Sequence, residues 1–224
     1  MSTPPDFAAA RRALNEQFAR IAKALAHPGR LELLERVTEE EQPVDALIEA
    51  TGMARSTTSA HLQVLRRAQL VDTRRDGTQI FYRIAGAQVA TLVESLRQVA
   101  ASQLAEVDQI TRDYVEARDG LEPVRRDDLL ARAERGEVVV VDVRSPREYA
   151  EAHIPGAISI PLAELVDRID ELPDDRETVA YCRGSYCVWS ADAVALLRGE
   201  GLDARRLDGG LPEWADDGRR VVVS

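Results

Sequence analysis

The feature that most constrains this chain is a six-residue turn, Cys182-Arg183-Gly184-Ser185-Tyr186-Cys187, which holds both of its cysteines. Before it, Thr178-Val-Ala-Tyr181 is a short apolar stretch rich in β formers. After it, Val188 to Leu197 places apolar residues at helical spacing. The segment therefore reads as strand, loop, helix. A thiol in that loop faces the free N–H groups and the positive dipole end of the following helix, which lower a thiolate's pKa and hold an anion. The competing reading is two small core residues, since free cysteine is among the most buried types. Two cysteines in one turn, with Arg183 beside the first, favour a reactive site.

A length of 224 residues allows two modest domains or one large one. Met1 to Arg12 is polar and turn-rich rather than an apolar leader, and no apolar run approaches membrane-spanning length. These features set the expectation of a cytoplasmic protein without a membrane partner, where thiols stay reduced unless they do chemistry. Two cysteines and three scattered histidines, His27, His61 and His153, supply no four-ligand cluster, so neither a metal nor a cofactor is expected.

The net charge of −10 is unevenly placed. Residues 1–118 carry a net −1 and residues 119–224 a net −9. Within 54–83, six arginines (55, 66, 67, 74, 75 and 83) stand against Asp72 and Asp76, a local +4. For a polyanionic partner the patch matters more than the total.

Upstream, Phe7 to Leu25 reads as an amphipathic helix with Leu14, Phe18, Ile21 and Leu25 on one stripe, stopped by His27-Pro28-Gly29. A short helix follows at Arg30 to Val37. Gln42-Pro43 opens a third, closed by Gly52, and Arg55 to Ala68 forms a fourth. Val71 to Arg75 and Gln79 to Ile84 alternate about Asp76-Gly77, a hairpin signal. Ala87 to Ala117 is expected as one long helix.

Short helices, a basic helix and a hairpin describe a winged helix-turn-helix. Three stretches resemble the ArsR-type transcriptional repressors: Ala24 to Leu34 as the entry signature, Thr51 to Val71 as the turn and recognition helix, and Asp76 to Arg83 as the wing. The fourth helix is expected to bury Thr58, Leu62 and Leu65. That leaves Arg55, Ser56, Ser59, His61 and Gln63 for phosphates or base edges of double-stranded operator DNA, with Arg74, Arg75 and Gln79 at the wing. For any one of these a solvated polar face is the competing reading, and His61 could instead cap or pack. The resemblance implies a homodimer paired through the helix at 87–117. It departs from metal-sensing members, having no cysteine in the third helix and no histidine in the last.

Residues from about Leu121 to Val222 resemble a rhodanese domain, an α/β fold with a parallel sheet that carries sulfane sulfur on a cysteine. The matching stretches are Val138 to Ser145, Glu148 to Ala157, Tyr181-Cys182 with its loop, and Leu207 to Trp214. The resemblance implies that Cys182 is the sulfur carrier, cradled by loop amides, and that the partner is a small sulfane-sulfur donor. Related phosphatases use a longer loop with an arginine six residues after the cysteine. Here that position is Val188, which disfavours phosphatase or arsenate reductase chemistry. Cys187 stands where many rhodaneses have Arg or Ser, and is either a resolving thiol or a packing residue.

Arg183 could screen the thiolate, hold an anionic donor or lie in solvent. Asp142 and Arg144 either support the loop electrostatically or lock the strand end as an ion pair. His153 reads as structural, and Trp189 and Trp214 as core anchors. The expected organisation is a mainly α winged domain over 1–118 and an α/β rhodanese-like domain over 119–224. The leading functional expectation is a homodimeric regulator that reads reactive sulfur or redox state through Cys182. The alternatives are a sulfurtransferase with the winged domain as a localisation or oligomerisation module, and a constitutive DNA binder whose second domain docks proteins.

Overall fold

The computed structural model describes residues 6–118, 120 and 122–223. The chain divides into two compact units, 1–98 and 99–224.

In the first unit, α1 (Phe7–Leu25) starts at Asp6, whose carboxylate accepts the Ala8 N–H at 3.3 Å. His27 opens α2 (Pro28–Glu39), its Nδ1 accepting the Gly29 N–H at 3.1 Å. Next come β1 (Gln42–Pro43), α3 (Val44–Thr51), α4 (Arg55–Arg67), β2 (Val71–Asp76), β3 (Gln79–Ile84) and the start of α5 (Ala87–Gln103). The three strands form an antiparallel sheet in the order β1-β3-β2. Asp76 faces Gln79 across the hairpin, so Gly77 and Thr78 form the two-residue loop. Gly77 sits at φ 58°, which such a turn requires. Leu33, Leu34, Leu47, Leu62, Leu65 and Thr58 are wholly buried, so the apolar faces of α2, α3 and α4 make the core. Strand β1 is not legible as a strand in the sequence; Pro43 precedes α3 and also pairs with Phe81.

Two expectations are corrected here. The stripe on α1 is only half used: Leu25 is buried and Ile21 packs against the core, but Leu14 and Phe18 are exposed, as is Phe7 at the start of the helix. The long helix at 87–117 is two helices, α5 ending at Gln103 and α6 (Ala105–Arg118). At the break the Val107 N–H bonds Leu104 O at 3.0 Å, a tighter three-residue step. Helix α6 is tied by side chains to a later helix of the second unit, and the two compact units meet at Gln98/Val99.

The second unit continues with α7 (Arg126–Glu134), β4 (Val138–Asp142), α8 (Pro146–Glu151), β5 (Ile158–Ser159), β6 (Glu177–Tyr181), α9 (Trp189–Gly199), β7 (Ala204–Arg206) and α10 (Leu211–Asp216). Its sheet is parallel throughout, in the order β5-β4-β6-β7. Side chains alternate between its faces. Val140, Val179 and Tyr181 pack with Leu129, Leu207 and Trp214, while Val141, Ala180 and Cys182 pack with Val194, Leu197 and Leu165. That alternation puts Cys182 on the α9 side. The carboxyl ends of β4 and β6 are in register, Asp142 opposite Tyr181, with the chain leaving toward β5 on one flank and β7 on the other. Open parallel sheets place ligand chemistry at such a divergence.

Candidate functional site

Cys182 follows the last residue of β6 and is completely buried; Cys187 is half-buried, and both are free thiols. The Cys182 sulfur lies 3.4 Å from the Cys187 carbonyl oxygen and 3.6 Å from the Ser190 hydroxyl in the first turn of α9. Burial pushes the Cys182 thiol up. The Cys187 thiol, the Ser190 hydroxyl and the amides of Ser190 and Gly184 outweigh it, and the pKa falls to about 7. Cys187 moves the opposite way, well above its ordinary value, because its proton is held by the Cys182 thiolate and because it too is buried. The two thiols therefore titrate as a pair, Cys182 drawn down and Cys187 pushed up.

Around the loop the charges are already matched. Arg183 bonds Glu148 through Nε and Nη2, at 2.7 and 2.9 Å, and its guanidinium lies 4.1 Å over the Trp189 ring. Burial raises Glu148, yet Arg183, then Ser145 and Arg144, draw its pKa down to about 2. Ser145 and Glu148 also cap α8 reciprocally. Glu213 accepts the Ser185 N–H and the Gly210 N–H, each at 2.9 Å. Gly210 is required there because any Cβ would overlap the Cys182 carbonyl and the Gly184 backbone.

Asp142 and Arg144 form a buried ion pair, with Arg144 Nη2 2.6 Å from Asp142 Oδ2. The Tyr181 hydroxyl donates to the same oxygen at 2.5 Å and accepts the Ile154 N–H. Arg144 also donates to the Ala152 carbonyl. Among the described residues neither side chain is hydrogen-bonded to the Cys182 sulfur; they hold the ends of β4 and β6 together. His153 stacks on Tyr149, with ring centroids 3.8 Å apart, and its Nδ1 is 2.9 Å from the Tyr149 carbonyl oxygen. Trp214 is buried, while Trp189 is only half-buried beneath Arg183. Ser190, Glu148 and Glu213 are functional residues that sequence reasoning missed. The first sits at a position read as helix, and the carboxylates gain meaning only from their partners.

One contact leads away from the loop. Two residues beyond Ser190, Asp192 accepts the Tyr114 hydroxyl at 2.8 and 2.9 Å and pairs with Arg118 at 3.1 Å, both from α6. Burial and the Asp192 carboxylate raise the Tyr114 pKa. Elsewhere, a polar cavity of about 510 Å³ beside α7 is lined by Arg125, Arg132, Arg135 and Arg205 among others. Arg132 and Arg205 both close on Glu177, and Arg135 on Glu137.

In the first unit, α4 exposes Arg55, Ser56, Thr57, Ala60, Gln63, Arg66 and Arg67, with Ser59 half-buried. Arg55 pairs with Asp45 at 2.5 Å. His61 does not join that row. Its ring lies 4.2 Å from the His27 ring, and its Nε2 is buried without a hydrogen-bond partner. Burial, then His27 and Arg30, lower its pKa. On the wing, Gln79, Arg74 and Arg75 are exposed. Arg74 is held by Glu41 at 2.8 Å and Asp76 at 3.1 Å, and Arg75 Nε donates to the Gly77 carbonyl.

Comparison with known proteins bears on both units. Residues 27–73 match the model for bacterial regulatory proteins of the arsR family, and residues 125–217 that for the rhodanese-like domain. An HTH-type transcriptional regulator of Mycobacterium tuberculosis is 47% identical over 204 residues, covering 91% of this chain and 89% of that protein. The chain belongs to the ArsR-family regulators with a C-terminal rhodanese domain. It is a DNA-binding transcriptional regulator of the winged helix-turn-helix type. A sulfurtransferase of Allochromatium vinosum is 36% identical over 91 residues, 41% of this chain and 84% of that one. A solution structure of a homodimeric winged helix-turn-helix domain from Mycobacterium bovis is 43% identical, with TM-score 0.42. It covers 46% of this chain and 94% of that one. Among the described residues no helix of this ArsR–rhodanese regulator is long and apolar enough to cross a membrane, and no cluster of metal-ligating side chains is present.

Proposed function

We propose that the protein is a cytoplasmic homodimer that binds operator DNA through α4 and the wing and alters that binding when Cys182 carries sulfane sulfur. One observation carries this reading. The helix whose first turn holds the Cys182 sulfur through Ser190 also presents Asp192 to Tyr114 and Arg118 of α6, which follows α5 in the chain. An added sulfur must be seated among Cys187, Ser190 and the loop amides, so it displaces the start of α9 and with it the grip on α6.

The loading step needs no external oxidant. The Cys182 thiolate attacks the outer sulfur of a donor, the donor's S–S bond breaks, its remainder leaves with the electron pair, and Cys182 keeps a persulfide. If the donor leaves two extra sulfurs, the Cys187 thiol can attack the first of them. It then closes a trisulfide bridge and releases hydrogen sulfide, a longer link that relaxes the strict geometry of a direct disulfide. For DNA, Arg55, Ser56, Ser59, Gln63, Arg74, Arg75 and Gln79 are the proposed contacts. For pairing, Phe7, Leu14 and Phe18 on α1 and Leu92 and Leu96 on α5 are apolar and uncovered in a single chain.

The test is an operator titration of the protein before and after polysulfide treatment, with Cys182→Ser in parallel and mass spectrometry of the treated protein. The reading expects a persulfide or bridged species on wild type only, and a change in affinity that the variant lacks. Sulfur on Cys182 with unchanged operator affinity removes the sensor and leaves the sulfurtransferase reading. That second reading is favoured by the buried Cys182 sulfur held by the Ser190 hydroxyl at the start of α9.

A further inference from the structure

The loop spends on itself the groups that an oxyanion would need. The amides of Gly184 and Ser190 face the Cys182 sulfur, and those of Arg183 and Trp189 face the Cys187 sulfur. The Ser185 amide donates to Glu213 and the Cys187 amide to the Gly184 carbonyl, both at 2.9 Å. Arg183, the cation within the loop, is bonded bidentately to Glu148 and flattened on Trp189. The Glu213 carboxylate presses so close to Gly184 that its oxygens would lie 3.2 and 3.3 Å from a Cβ there. Two carboxylates therefore line the loop that encloses a thiol with no solvent exposure, and of these Glu148 is offset by Arg183.

We propose that this site takes its sulfur from a small hydropersulfide, neutral or singly charged, and discriminates against doubly charged oxyanion donors such as thiosulfate. The inference rests on the reading of Cys182 as a sulfur acceptor. Size follows from burial, because a thiol beneath Cys187 and Ser190 admits a linear disulfur unit more readily than a bulky one. Charge follows from Glu213, which accepts only backbone amides here, since Glu148 and Arg183 offset each other. With a hydropersulfide, the thiolate bonds to the terminal sulfur, a thiolate leaves as a single anion, and the transferred sulfur keeps its proton. With thiosulfate, the same attack expels sulfite, so two negative charges must enter and two must leave past Glu213. Arg183, the cation of the loop, is already held by Glu148 and does not offset them.

The experiment exposes the full-length protein to inorganic hydrodisulfide or to thiosulfate and follows sulfur on Cys182 by mass spectrometry. Each rate is divided by that donor's rate with free cysteine in the same buffer. The normalised hydrodisulfide rate is expected to exceed the thiosulfate rate at least ~10-fold. Raising salt from about 0.01 M to about 0.15 M cuts the screening length from about 30 Å to about 8 Å. This should speed thiosulfate several-fold and leave the hydrodisulfide ratio nearly flat. Glu213→Gln, which keeps an acceptor for one amide, should favour thiosulfate in the same way. Equal normalised rates overturn the proposal, as does a Glu213→Gln variant that accelerates both donors alike, since that signals a loosened loop rather than relieved repulsion. If the variant does not fold, the wild-type salt series decides. Loading by neither donor removes the sulfur-acceptor reading itself, and the donor preference falls with it.

Discussion

The cysteine loop and the wing both carry arginine–carboxylate pairs, but they hold them under different conditions. At the loop, the side chains of Arg183 and Glu148 are 8% and 20% exposed and meet through two hydrogen bonds. At the wing, Arg74 is 50% exposed and shares Glu41 and Asp76, while Arg75 reaches only a carbonyl of its own turn. Screening by water makes an exposed pair worth about 0–1 kcal/mol, so the wing arginines can exchange a carboxylate for a phosphate at little cost. A buried pair that loses one partner leaves an uncompensated charge. The loop's charges are therefore structural scaffolding around Cys182, and the wing's are free to exchange partners with a polyanion.

The sharpest way to break this contrast is Asp142→Ala. It strands Arg144 and the Tyr181 hydroxyl in the interior and should lower stability by about 3–5 kcal/mol in denaturant unfolding. A loss below ~1 kcal/mol would mean that the ends of β4 and β6 are held by something else. Glu148 offers a pH-resolved version. Its folded pKa is about 2 against an ordinary 4.5, so its contribution is complete above about pH 4.5 and disappears as pH falls through about 2. Wild type should exceed Glu148→Gln by about 2–3 kcal/mol near neutrality, with the gap closing over that acid window. A gap independent of pH would place the effect in packing.

At the wing the expected losses lie in binding, not stability. Arg75→Ala should reduce the slope of log affinity against log salt by about one, while Arg74→Ala, already shared with two carboxylates, should reduce it by less. Both variants should unfold within about 0.5 kcal/mol of wild type. Tyr114→Phe removes one hydrogen bond to Asp192 and should cost about 1 kcal/mol or less. It should nonetheless weaken the response of operator affinity to polysulfide while leaving sulfur loading of Cys182 intact. An unchanged response would take α6 out of the route.

Much of this molecule was readable locally. The hairpin at 71–84 and the strand–loop–helix at Cys182 follow from alternation, turn residues and helical spacing, which neighbours along the chain enforce. Thr58, Leu62 and Leu65 were legible as the buried side of α4 for the same reason. His61 shows where that reading stops: its spacing leaves it near the edge of the exposed row, and only the His27 ring, 34 positions earlier, turns it inward. The helix at 87–117 misled because its apolar pattern is continuous, while the break at Leu104 accompanies the grip of α6 on Asp192, far along the chain.

The sequence by itself determined the two family frames and most of the order of elements, because periodicity, turn chemistry and motif spacing are properties of contiguous residues. Only the tertiary structure decided which charges meet. Arg183 could have faced the thiolate, a donor or water, and it faces Glu148, 35 residues away. Glu213 could have been one more solvated carboxylate, and it holds Ser185. In a chain with 29 basic and 39 acidic side chains, pairings are degenerate in the sequence. Distance and burial, set when the sheet and its helices close, select among them.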